Sequence, residues 1–116
     1  MSQQQDSVTV IAQLTQTLHQ RRSADADSSY VASLYQAGLD KILEKVGEEA
    51  TEVIIAAKTA QTDATATDAC VAEVADLWFH SMVLLHQLDR EAQDVLDVLA
   101  QRFGIGGHEE KANRDT

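Results

Sequence analysis

Apolar residues recur at intervals of three and four along most of this chain, which is the period of a helix that buries one stripe. Val8, Ile11, Leu14 and Leu18 place a first amphipathic helix from Asp6 to about Arg21. From Ser23 to Ser29 the period is lost among Ser, Ala and Asp, so this segment reads as a mobile connection, with Ser28 or Ser29 placed to cap the next helix. A short helix from Tyr30 to Gln36 ends or bends near Gly38. The strongest period then runs from Leu39 to about Lys58, where Ile42, Val46, Ala50, Val53 and Ala57 share one face. Thr, Asp and Ala between Gln61 and Asp68 break it, and Thr67 or Asp68 is a suitable N-cap for a further helix, Ala69 to Leu88, striped by Val71, Val74, Trp78, Met82 and Leu85. Asp89 can cap a last helix, Arg90 to Phe103, whose stripe is Ala92, Val95 or Leu96, Leu99 and Phe103.

The pattern predicts an all-α fold, a bundle of four to five helices. The absence of proline and the presence of only five glycines agree, since hairpin turns need more of both. At 116 residues the chain fits a single domain, 1–116, with residues 1–28 as an N-terminal helix and linker and 104–116 as a partly ordered tail. Stripes as long as Val71 to Leu88 carry more apolar surface than one small bundle can cover, so a homodimer is expected to complete it.

Charge narrows the partners. A net charge of −10 repels a nucleic-acid backbone, and the nine Lys and Arg form no continuous basic stripe. No nucleic acid is expected; a small phosphorylated substrate remains open, because a divalent cation reverses the local sign of an acidic pocket. The one cysteine, Cys70, has no internal disulfide partner, the polar start lacks a signal pattern, and no apolar run is long enough to span a bilayer. The expected location is cytoplasmic, with no membrane contact.

The informative stretch is Lys41-Ile-Leu-Glu-Lys45-Val-Gly-Glu48-Glu49-Ala-Thr-Glu52. At about 100° per residue, Lys41, Lys45, Glu48, Glu49 and Glu52 occupy roughly a third of the helix circumference, beside the Ile42/Val46/Val53 stripe. Glu49 and Glu52, three residues apart, have Cβ atoms about 5–6 Å from each other, and such a like-charged pair invites a cation. Glu73-Val-Ala-Asp76 repeats the spacing on the later helix. Two carboxylate pairs on two helices make an all-oxygen ligand set, suited to Mg2+ or Mn2+ and not to zinc. Lys41 and Lys45 could hold phosphate oxygens on the same face. The alternative is a solvated acidic face that adds only solubility.

Ser29-Tyr30, Gly38-Leu39-Asp40-Lys41-Ile42, Lys45-Val-Gly-Glu-Glu-Ala-Thr-Glu52-Val-Ile54 and Glu73-Val-Ala-Asp76-Leu-Trp-Phe-His80 together resemble the phosphoribosyl-ATP pyrophosphatase family over roughly Ser29 to Phe103. That family sits among the MazG-like helical pyrophosphohydrolases. The resemblance implies conversion of phosphoribosyl-ATP and water to phosphoribosyl-AMP and pyrophosphate, in histidine biosynthesis. It implies Mg2+ bound by Glu49, Glu52, Glu73 and Asp76, with Glu48 supporting them or orienting water, and a homodimer. Either Glu48 or Glu49 could then take the proton from water. The cyclohydrolase sometimes fused to family members has no counterpart here, so the next enzyme is expected to be separate. The tail from Gly106 resembles family C-termini without an assignable role.

Two other functions fit parts of the pattern. One keeps the metal site but takes other nucleoside triphosphates, as further MazG-like members do; the Lys45-Val-Gly string argues against it. The other is a non-catalytic helical dimerisation module. His80, one turn beyond Asp76, is either a partner of the site or a half-buried structural histidine, and it is not counted in the site. Cys70 points away from the Glu73/Asp76 face and reads as a small buried residue, with Trp78, Phe79 and Met82 as core or dimer contacts.

Overall fold

The computed structural model describes residues 7–25, 27 and 29–105. Five helices succeed one another: α1 (Ser7–Arg21), α2 (Tyr30–Ala37), α3 (Leu39–Thr62), α4 (Thr67–Gln87) and α5 (Ala92–Phe103), with a single 3-10 turn, Ala64–Ala66, between α3 and α4. No strand occurs among the described residues. Asp6 as the helix start, Ser28 as a cap, the Val8 side chain and the tail from Gly106 lie outside the described residues.

Local chemistry sets the boundaries. Ser29 has extended backbone, and its hydroxyl accepts the Ala32 N–H at 3.3 Å, opening α2 as an N-cap should. Gly38 sits at φ 99°, which ends α2 and lets α3 begin one residue later; a side chain there would be strained. At the far end of α3 the Asp63 carboxylate accepts both the Thr65 N–H (3.0 Å) and its hydroxyl (2.6 Å), and these bonds hold its pKa below the usual range.

Two expected caps are corrected. Neither Thr67 nor Asp68 caps α4, because the 3-10 turn runs straight into the helix and the Ala64 carbonyl already takes the Thr67 N–H. Asp89 does not cap α5. The Arg90 N–H returns to the Leu85 carbonyl at 2.8 Å, so 88–90 are spent turning the chain, with Asp89 at φ 62° and its carboxylate on Arg22 at 2.7 Å. Glu91 opens α5 instead, its N–H bonded to the Asp94 carboxylate at 2.9 Å in a capping box.

The core lies at one end of the molecule. Leu18 of α1, Leu34 and Tyr35 of α2, Ile42 of α3, Met82 and Val83 of α4 and Ala92 of α5 are buried together, with Ile11, Leu14, Val31, Phe79 and Leu84 packed against them. From there α3 and α4 run on as a helical hairpin, the largest helix pair of the fold. Away from the core this hairpin is not covered: Ile54, Val71 and Trp78 are each more than 60% exposed. Trp78, expected in the core or in a dimer contact, is no part of this core.

Candidate metal centre

The acidic pairs sit midway along the hairpin, each on the edge between its helix's packed face and solvent. Glu49 and Glu73 are half-buried, while Glu52 and Asp76 are exposed. Carboxylate oxygens of Glu49, Glu73 and Asp76 all lie within 4.8 Å of one another. Glu52, one turn further along α3, stands outside that group, yet close enough for its charge to act on Glu73. Partial burial, then the charge of Glu49 and that of Asp76, push the Glu73 carboxyl above the usual carboxylate range, helped by a hydrogen bond with Glu49.

The lysines of α3 do not relieve this repulsion. Lys41 pairs with Glu44 at 3.5 Å, Lys45 with Glu48 at 3.4 Å, and Lys58 bonds Gln61. A convergent set of three carboxylates, one of them with a raised pKa, fits a hard divalent cation, which would offset the repulsion among them. Glu48 pairs with Lys45 and lies outside the three-acid group, and its charge is the main cause that raises the Lys45 pKa. The structure therefore places Glu48 beside Lys45 and Glu49 with the acids of α4.

Sequence reasoning passed over one arrangement. His80, only 6% exposed, lies a turn beyond Asp76, and its Nδ1 is 2.8 Å from the Asp76 carbonyl. A carbonyl only accepts, so Nδ1 carries the hydrogen, and in the neutral ring Nε2 accepts from the Tyr30 hydroxyl at 2.9 Å. The Phe79 ring packs edge-on against the imidazole on one side. The i, i+4 spacing of Asp76 and His80 was the available signal; the partner, fifty residues earlier, was not visible without the fold.

The remaining candidates lie elsewhere. Cys70 is a free, half-buried thiol. A pocket of about 270 Å³, lined by His19, His86, Asp89, Arg90, Glu91, Gln93 and Asp94, is formed by the end of α1 and the α4–α5 turn and includes none of the acids above. Among the described residues no helix is long and apolar enough to cross a membrane. A model of the phosphoribosyl-ATP pyrophosphohydrolase family matches residues 11–103, which takes in every helix but the first turn of α1.

Proposed function

This chain belongs to the phosphoribosyl-ATP pyrophosphohydrolase family, a family of hydrolases, and from that membership we propose that it cleaves phosphoribosyl-ATP to phosphoribosyl-AMP and pyrophosphate, the second step of histidine biosynthesis. The observation that carries the reading down to residues is the convergence of Glu49, Glu73 and Asp76 across the hairpin. These three would hold Mg2+, or Mn2+ in its place, with the exposed Glu52 as the candidate fourth ligand. When bound, the ion neutralises the triphosphate and makes water easier to deprotonate.

The protein's own groups do the rest. Lys45 and Lys41, on the side of α3 that continues from the acids, hold phosphate oxygens and keep the chain of phosphates extended along the helix. Glu49 or Glu48 accepts the proton as the oxygen of water bonds to phosphorus and the anhydride P–O bond breaks. Of the two, Glu49 lies in the acidic group, whereas Glu48 must first leave Lys45, which phosphate binding at that lysine would encourage. The enzyme acts as a single domain in the cytoplasm, as a homodimer in which the uncovered faces of α3 and α4 meet those of a second copy.

The test is turnover. Purified protein with Mg2+ should release pyrophosphate from phosphoribosyl-ATP and far more slowly from deoxynucleoside triphosphates, and chelation should stop it. Preference for the deoxynucleotides would overturn the substrate assignment, and undiminished turnover after chelation would overturn the metal.

A further inference from the structure

We propose that His80 and Tyr30 are positioning residues for the acidic group, holding the Asp76 turn of α4 in place so that the carboxylates already converge before a divalent cation arrives; this rests on the metal reading above. Glu73, Asp76 and His80 follow one another at spacings of three and four, so they share one face of α4, within about 60° of arc. Two hydrogen bonds make the connection. The Nδ1–H of His80 is given to the Asp76 backbone carbonyl at 2.8 Å, and Nε2 accepts the Tyr30 hydroxyl hydrogen at 2.9 Å. Asp76 in turn has a carboxylate oxygen within 4.8 Å of those of Glu49 and Glu73. An unbroken series of bonds thus runs from the first residue of α2, through the Asp76 backbone, to a member of the group.

Convergence has to be held against charge. Three carboxylates this close repel one another, and among the described residues no salt bridge crosses from α3 to α4 to offset them. The repulsion acts to spread the hairpin at this level, and α2 stands against it. Leu34 and Tyr35 are buried with Ile42 of α3 and with Met82 and Val83 of α4, so α2 is seated on both arms. The Tyr30–His80 bond is the one polar side-chain tie from α2 to α4 among the described residues. His80 is 6% exposed and packed edge-on by Phe79, so the tie ends on a group with little freedom to follow a drifting turn. Ligands already held together bind a cation more tightly than ligands the cation must first gather.

Ion binding measured apart from turnover tests the proposal. Mn2+ serves as the probe, its free concentration read by electron paramagnetic resonance in the whole protein without substrate, and the site is identified as the one that Asp76→Asn removes. Tyr30→Phe keeps the ring and removes the oxygen; it should weaken that site by about three- to tenfold, the range of one lost hydrogen bond. His80→Asn keeps a donor for the Asp76 carbonyl but falls short of Tyr30, and should match Tyr30→Phe. His80→Gln, long enough to accept from Tyr30, should retain more of the affinity. Tyr30→Phe combined with His80→Asn should be no weaker than either alone, because both cut one tie. Variants that lose metal-free melting temperature while binding Mn2+ as the wild type does would make the pair a packing contact and overturn the proposal, as would fully additive losses. Either result leaves the metal reading standing. A wild-type protein with no Mn2+ site sensitive to Asp76→Asn would instead overturn the metal reading and the proposal together.

Discussion

Glu73 of α4 and Glu49 of α3 bring carboxylate oxygens within 4.8 Å of each other midway along the hairpin, and burial and the charge of Glu49 raise the Glu73 pKa. The folded chain therefore holds a proton on Glu73 above the carboxyl's ordinary 4.5, more tightly than the unfolded chain does. Between 4.5 and the raised value the folded state binds the extra proton, so the contribution of Glu73 to metal-free stability is complete below 4.5 and is lost as pH rises through the folded value. The difference in urea midpoint between wild type and Glu73→Gln, measured in chelator across mildly acid pH, should show that decline. Saturating Mg2+ should reverse the trend of that difference, since the ion competes with the proton for Glu73.

Asp76→Asn preserves shape and removes a charge from the convergent group. Activity should fall by at least about a hundredfold, beyond the range typical for residues that merely support a metal ligand. Glu52→Gln should also impair turnover but weaken Mg2+ binding less, since Glu52 stands outside the group at rest. Thermal melting with and without Mg2+ separates the two: wild type gains most from the ion, Glu52→Gln less, Asp76→Asn least.

Lys45→Ala should raise KM by about tenfold while leaving the metal-free melting temperature almost unchanged, because its pair with Glu48 is long, 3.4 Å, and open to solvent on the Glu48 side, and such pairs add little to stability. A shift confined to melting would make Lys45 a structural partner of Glu48.

His86 is fully buried with neither ring nitrogen hydrogen-bonded among the described residues, and its only ring contact there is the edge of His19. Burial, then the charges of His19 and Arg22, drive its pKa below the ordinary 6.5, against an opposing pull from Glu91. A depressed histidine is neutral in the fold, so the stability it permits is complete above 6.5 and is lost as pH falls from there through the folded value. His86→Leu should gain about 1 kcal/mol by removing the unpaired polar group, and should erase that part of the acid sensitivity. Chemical denaturation of both proteins on either side of pH 6.5 reads the difference.

Melting should also depend on protein concentration if the uncovered hairpin faces pair between copies. A species that sediments as a stable monomer at micromolar concentration would overturn the dimer.

The sequence disclosed the helices because their stripes are long and their breakers few: Ser29, Gly38 and the Thr-Asp-Ala run each fall where an element changes. It misplaced the caps of α4 and α5 because capping depends on which backbone groups a preceding turn has already satisfied, and neither the Ala64 carbonyl nor the Leu85–Arg90 bond is written in residue types. The acids were legible as spacing, since three residues along a helix means one face. Their unequal standing was not: that Glu49 joins Glu73 and Asp76 more closely than Glu52 does depends on how α4 lies across α3. His80 was visible but not interpretable, since its meaning came from Tyr30, on a helix that no local rule brings beside it.

Trp78 is the chain's sole tryptophan, 64% exposed, and two positions after Asp76 it lies on nearly the opposite side of α4. The protein thus carries a native optical probe on the side of α4 that faces away from Asp76. Its emission should move to shorter wavelength when a second surface covers the indole, and should scarcely respond to Mg2+ at constant protein concentration. Assembly and ion binding can therefore be followed as separate signals in one unlabelled sample.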